Sequence, residues 1–182
     1  MANITLAVTG SISAYKAADL TSQLTKLGHK VTVLMSRSAM DFITPLTLQS
    51  LSKNLVHTDV MVEEDPSLIK HIDIAKETNL FLVAPASANT IAKLAHGMAD
   101  NIVTATALAL PIGSPKLIAP AMNTNMYLNP ATQKNLNTLE EYGFDEVKPR
   151  EALLACGDFG TGALAEVTDI LEKVSNTLDE KK

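Results

Sequence analysis

Short, predominantly apolar and β-branched runs that alternate with amphipathic helical stretches predict an α/β protein: a doubly wound parallel sheet with helices on both faces. The runs at Ile4 to Val8, Val31 to Met35 and Leu80 to Ala84 lack the polar alternation of a half-exposed strand, as strands covered on both faces should. Helical spacing fills the intervals between them. Only 4% of the residues are aromatic, with no Trp and many small aliphatic residues, which favours close helix–sheet packing over an all-β sandwich.

The elements follow in order. Ile4 to Val8 breaks at Gly10, after which Ala17, Leu20, Leu24 and Leu27 recur at helical spacing as far as Gly28, a C-cap candidate. Val31 to Met35 begins directly after that helix and predicts a parallel neighbour reached by a right-handed crossover. "SRSAMDFITPLTLQSLS" reads as helical around Pro45 and "VEEDP" as an acidic loop. Leu80 to Ala84 is a third strand, and "IAKLAHGMADNIVTATALAL" reads as two short helices broken at Gly97. "PKLIAPAMN" is a fourth strand ending at Pro120, since Pro resists continuing a central strand. Ala131 to Tyr142 is a helix, Phe144 to Val147 a short strand and Val167 to Leu178 a terminal helix. With no internal repeat or linker, residues 1–182 read as one Rossmann-like, flavodoxin-like three-layer α/β/α domain. Ligands are expected at the carboxyl ends of the strands.

Bulk properties narrow the functions. A formal charge of −5 argues against a nucleic-acid binder, whose phosphate contacts need clustered Lys and Arg; the terminal Lys-Lys reads as a solvated tail. The single Cys156 excludes an intrachain disulfide framework, and no Cys/His cluster has metal-binding spacing, which suits a reducing cytoplasm. "MANITLAVTG" lacks the charge and apolar length of a signal peptide, and no window reaches membrane-spanning length, so neither a metal nor a membrane is expected.

Three corners carry polar groups to one edge of such a sheet. "TGSISAYK" has one Gly and is not the dinucleotide fingerprint; Ser11 and Ser13 there either cap the helix or add hydroxyls around a phosphate at its N-terminus. "PASANT" brings Ser87, Asn89 and Thr90 to a helix start where a cap needs one such side chain, and Ser36 follows a strand directly. "APAMNTNMYLNP" combines prolines and methionines with Asn123; taken alone it reads as core-filling Met and a turn Asn.

"GSISAYK", "PASANT", "PAMNTNMY" and "ACGDFGTG" occur in that order over roughly Ile4 to Val174. Together they resemble the homo-oligomeric flavin-containing cysteine decarboxylases, in particular the branch serving coenzyme A biosynthesis. The resemblance implies FMN held by Gly10, Ser11, Ile12, Ser36, Ser87, Ala88, Asn89 and Thr90. It also implies His71 in the active site, Asn123 at the substrate carboxylate with Ala121, Met122 and Met126 beside it, and Cys156 in late protonation. The implied substrate is 4'-phosphopantothenoylcysteine, and the implied assembly is a trimer or a dodecamer built of trimers. The sequence departs from the family pattern at Tyr127, where Trp is usual, and at Ala163, where Arg is frequent; the second leaves the substrate phosphate without an assigned partner.

The chemistry explains why such residues are wanted. A C-terminal cysteine amide has no electron sink beside its carboxylate, so loss of CO2 needs oxidation of the CH2–S carbon to a thioaldehyde. Decarboxylation then gives an enethiolate, and return of hydride with a proton gives the saturated thiol in a redox-neutral cycle. His71 would assist thiol deprotonation, because a neutral imidazole is a competent base; from "IKHIDIA" alone it reads as an exposed helix-start residue. Cys156 stands beside Gly157, with Gly160 and Gly162 behind, which reads as a mobile loop closing over substrate. Rival readings are a peptidyl-cysteine decarboxylase, which would release an enethiol, a flavin prenyltransferase, and a non-catalytic FMN-binding regulatory subunit. The chain has no length for a fused synthetase, so phosphopantothenate–cysteine ligation is expected on a separate polypeptide.

Overall fold

The computed structural model describes residues 1–62 and 69–180; most of the expected acidic loop and the Lys-Lys tail lie outside them. A six-stranded parallel sheet forms the middle layer. Its strands are β1 (Asn3–Val8), β2 (Lys30–Met35), β3 (Val56–His57), β4 (Leu80–Ala86), β5 (Lys116–Pro120) and β6 (Phe144–Glu146). They lie in the order β3-β2-β1-β4-β5-β6, so the winding reverses between β1 and β4. That reversal opens a crevice at the carboxyl ends of the two central strands.

One face carries α1 (Lys16–Lys26), α2 (Pro45–Ser52) and α8 (Val167–Asp179); the other carries α3 (Lys70–Glu77), α4 (Ala88–Ala95), α5 (Ile102–Leu108) and α7 (Pro130–Glu141). Side chains alternate as a strand requires: Ile4, Leu6 and Val8 join the first core and Ala7 the second. Every residue of β4 is buried, and each large aliphatic or aromatic side chain there contributes roughly 1.5–3 kcal/mol. In α1 the buried positions Ala17, Leu20, Thr21 and Leu24 form one stripe, and Gly28 ends the helix at φ 85° as the expected left-handed cap.

Some boundaries differ from the sequence reading. Pro45 stands at the first position of α2, capped by Thr44, with a separate 3-10 turn over Arg37–Asp41 before it. Proline has the right φ for a helix start and no amide hydrogen to lose there. The structure adds β3, the five-residue α6 (Thr124–Leu128) and the antiparallel hairpin β7 (Arg150–Leu153) and β8 (Phe159–Ala163) to the expected elements. β7 has no fully buried residue and β8 contains two glycines, so neither presents the apolar pattern by which a strand is recognised. Among the described residues no helix is long and apolar enough to cross a membrane.

Candidate active site

The β1/β4 reversal is fastened by one buried side chain. Thr9 Oγ1 donates to the Pro85 carbonyl at 2.7 Å and accepts the Ser87 amide at 2.8 Å, and the Thr9 amide reaches the same carbonyl at 3.3 Å. Two strand-to-helix corners are thereby held side by side. At the first, Ser11 caps a 3-10 turn over Ile12–Tyr15 by accepting the Ser13 amide. At the second, Ser87 caps α4 by accepting the Thr90 amide at 3.3 Å and reaches Thr90 Oγ1 at 3.2 Å. The sequence raised no expectation for Thr9; its signal is a polar residue closing an otherwise apolar strand.

A cleft of about 460 Å³ opens over these corners, within the size range of small-molecule sites. Gly10, Ser11, Ile12, Ser87, Ala88, Ala121, Met122, Asn123, Met126 and Cys156, each singled out from sequence, all line it. Larger depressions elsewhere, of about 560 and 620 Å³, lie away from the strand reversal and include none of these residues. Position singles this cleft out, not size. Four of the sequence candidates do not line it. Ser36 follows β2 directly, with its hydroxyl 3.2 Å from that of Ser38. Asn89 is exposed on the first turn of α4, and Thr90 is buried under the Ser87 cap. His71 lies in the first turn of α3, whose chain runs on into the start of β4, so it shares the sheet's carboxyl edge; its Nδ1 is buried without a hydrogen-bond partner.

Asn123 and Cys156 meet although 33 residues separate them. Asn123 caps α6: its Oδ1 accepts the Asn125 amide at 2.9 Å, which leaves the Nδ2 group to point outward. That group donates to Cys156 Sγ at 3.3 Å and to Asp158 Oδ2 at 3.4 Å, and the thiol itself donates to Asp158 Oδ2 at 3.4 Å. Amide, thiol and carboxylate therefore form one closed triangle at the cleft rim. Asp158 lies within "ACGDFGTG", and its sequence signal is a carboxylate two residues after a lone thiol.

The glycines behind Cys156 correct the expectation of a freely mobile loop. A Cβ on Gly162 would lie 2.2 Å from the Met122 carbonyl oxygen, with φ at 154°, and one on Gly160 would lie 2.6 Å from Thr124 Oγ1. β8 thus rests directly on the segment that carries Asn123, and the Met122 amide donates to the Gly162 carbonyl at 2.9 Å. Close packing, which only glycine permits, requires two of the three. Only Gly157, at φ 91° with open space around it, serves the turn itself.

Tyr127 anchors the other end of the Asn123 segment. Its ring is buried and its hydroxyl donates to Glu146 Oε1 at 3.0 Å. Burial first, and then the adjacent Glu146 charge, push the phenol up to about 12, so it stays a donor at any working pH. Burial also raises Glu146, against the lowering pull of that hydrogen bond and of Lys148.

The donor set fits FMN. Ser11, Ser13 and nearby helical amides can hold a phosphate, while Ile12, Ala88, Ala121, Met122 and Met126 give a small-residue and thioether wall for a flat ring. Among the described residues no group of His, Cys, Asp and Glu could hold a metal ion.

The profile of the Flavoprotein family matches residues 1–179. A probable phosphopantothenoylcysteine decarboxylase of Streptococcus mutans serotype c is 60% identical over 175 residues, covering 96% of this chain and 98% of that protein. The coenzyme A biosynthesis bifunctional protein CoaBC of Bacillus subtilis (strain 168) is 46% identical over 93% of this chain, which spans 41% of its length. Among solved structures, a PPC decarboxylase mutant complexed with pantothenoylaminoethenethiol superposes with a TM-score of 0.88 at 30% identity, covering 98% of each chain. The FMN-dependent cysteine decarboxylase SpaF superposes at 0.86 with 27% identity, covering 99% of this chain and 97% of its own.

Proposed function

Since this chain belongs to the Flavoprotein family, we propose that it is an FMN-dependent enzyme that decarboxylates 4'-phosphopantothenoylcysteine to 4'-phosphopantetheine in coenzyme A biosynthesis. The observation that carries this reading is the Asn123–Cys156–Asp158 triangle at the rim of a cleft built on the β1/β4 reversal. Bound FMN supplies the two-electron acceptor and donor that opens an electron sink at the CH2–S carbon and closes it again.

The chain's own residues do the rest. The Asn123 Nδ2 group, aimed outward by its cap, offers N–H donors to the substrate carboxylate without a full positive charge. A neutral donor holds the carboxylate without stabilising it so strongly that its departure is opposed. The Cys156 S–H lies on the same rim and can deliver the last proton to the decarboxylated chain, with Asp158 holding it in line. Met122 and Met126 give that side of the cleft an apolar lining.

His71 would assist thiol deprotonation, and its place outside the cleft of its own chain suits a homo-oligomer built of trimers in which His71 of a neighbouring copy completes the site. The cross-strand pair Leu153 and Phe159, 72% and 74% exposed at the hairpin end, is the kind of apolar surface such contacts cover. Residues 1–182 act as one domain. The Streptococcus mutans relative has matching length. The reading places the enzyme in the cytoplasm, which keeps the thiol reduced.

The test is mass analysis of the product formed when FMN-loaded protein meets 4'-phosphopantothenoylcysteine. Loss of one CO2 with all other hydrogens kept is expected. Cys156→Ser should release the enethiol, two hydrogens lighter. Wild-type release of the enethiol would favour a peptidyl-cysteine-type reaction, and a yellow protein with no turnover would leave a binding subunit.

A further inference from the structure

The amide that the proposed reaction gives to the substrate carboxylate already holds a carboxylate of the chain. Asn123 Nδ2 donates to Asp158 Oδ2 at 3.4 Å and to Cys156 Sγ at 3.3 Å, and Oδ1 is committed to the Asn125 amide. An amide nitrogen has two N–H groups, so both are used within the chain. Asp158 has only neutral side-chain partners among the described residues, Asn123 and the thiol. The cations lining the cleft are held elsewhere: Lys16 Nζ and Arg150 Nε lie 3.6 and 2.9 Å from Glu166. A carboxylate seated on a neutral amide with no cation beside it is the contact proposed for the substrate, made here by the chain itself.

Asp158 and Cys156 share one turn. The Leu154 amide donates to the Asp158 carbonyl at 2.8 Å and the Gly157 amide to the Leu154 carbonyl at 2.9 Å. Gly157 has open space around it, whereas Gly160 and Gly162 lie tight against Thr124 and Met122. The exposed tip can therefore shift as one piece on a fixed base. We propose that Asp158 is a stand-in for the substrate carboxylate, a positioning residue that makes the arrival of Cys156 depend on the loss of CO2; this rests on the function proposed above. Two carboxylates on one amide repel each other at contact distance, so the incoming substrate displaces Asp158 and carries the thiol away from the reacting carbon. Decarboxylation ends the conflict: CO2 departs neutral, its electron pair passes into the enethiolate, and Asn123 is left with no bound carboxylate. Asp158 then returns to Nδ2 and brings the Cys156 S–H back once there is a decarboxylated chain to protonate.

The experiment uses FMN-loaded protein and two ligands with no thiol to oxidise: the substrate analogue carrying serine in place of cysteine, and the same molecule without its carboxylate. Calorimetry gives the affinity of each. In wild type the carboxylate must displace Asp158 and should add little. Asp158→Asn and Asp158→Ala should each raise the ratio of carboxylated to decarboxylated affinity about tenfold, the worth of one charge-assisted hydrogen bond. Loosening of the turn alone would shift both ligands together and leave the ratio where it was. Cys156, the single thiol of the chain, supplies a second measurement. Iodoacetamide should label it faster with the carboxylated ligand bound than with the decarboxylated one, because access to a thiol governs its reactivity, and in Asp158→Asn that difference should shrink. Equal ratios in wild type and both variants, or equal labelling with the two ligands, overturn the proposal. If both differences appear but 4'-phosphopantothenoylcysteine is not turned over, the carboxylate exchange stands and the proposed reaction falls; turnover with unchanged ratios removes the exchange alone.

Discussion

Tyr127→Phe removes one hydroxyl and keeps the buried ring, so it isolates the tether between the Asn123 segment and β6. The lost contact is the 3.0 Å hydrogen bond to Glu146. Above its native value Glu146 is a partly buried carboxylate, and a hydrogen bond to a charged group is worth about 2 kcal/mol; between neutral partners it is worth about 1 kcal/mol. Burial raises native Glu146 above its ordinary value, so its contribution to stability is complete below the unfolded value and is lost as pH rises through the native one. Removing the hydroxyl takes away a lowering influence and raises native Glu146 further, so the variant loses more with rising pH than wild type does. At roughly 2–4 °C per kcal/mol for a chain of this size, Tm should fall about 4–8 °C near pH 7.5 and about 2–4 °C near pH 4. Differential scanning calorimetry of both proteins at the two pH values measures this. Equal shifts at both pH values, or a larger shift in acid, would refute the reasoning.

Other perturbations test the supports of the site. Gly162→Ala drives a methyl against the Met122 carbonyl at a φ that alanine rarely adopts; a cost of about 2–4 kcal/mol should appear as a Tm drop on the order of 4–16 °C, and an unaltered Tm would show that β8 can lift away freely. Thr9→Val keeps the shape but orphans the Ser87 amide, at about 1–3 kcal/mol; weaker FMN binding by fluorescence titration should accompany the loss, because Ser87 and Ala88 would shift. Asp158→Asn should cut the rate of the saturating final step about tenfold or more and let enethiol appear in the product mass spectrum, with FMN affinity unchanged; wild-type product at the wild-type rate would reduce Asp158 to a surface residue.

The alternation of apolar runs and amphipathic stretches determined the layered α/β fold, because strands covered on both faces and helices covered on one leave local periodic signals. Gly28 as a cap and Pro120 as a strand end were legible for the same reason, each being fixed by its own backbone. Asn123 and Cys156 could be singled out, but their contact could not, since it depends on β8 lying against Met122. Tertiary structure alone decided that Gly160 and Gly162 serve close packing, that Thr90 is buried while Ser87 lines the cleft, and that Thr9 ties the two corners. It alone gathered Lys16, Arg150 and Glu166 from three elements. Those outcomes rest on contacts between distant segments, where one side chain's partner is set by how the layers stack and leaves no mark in the residues on either side of it.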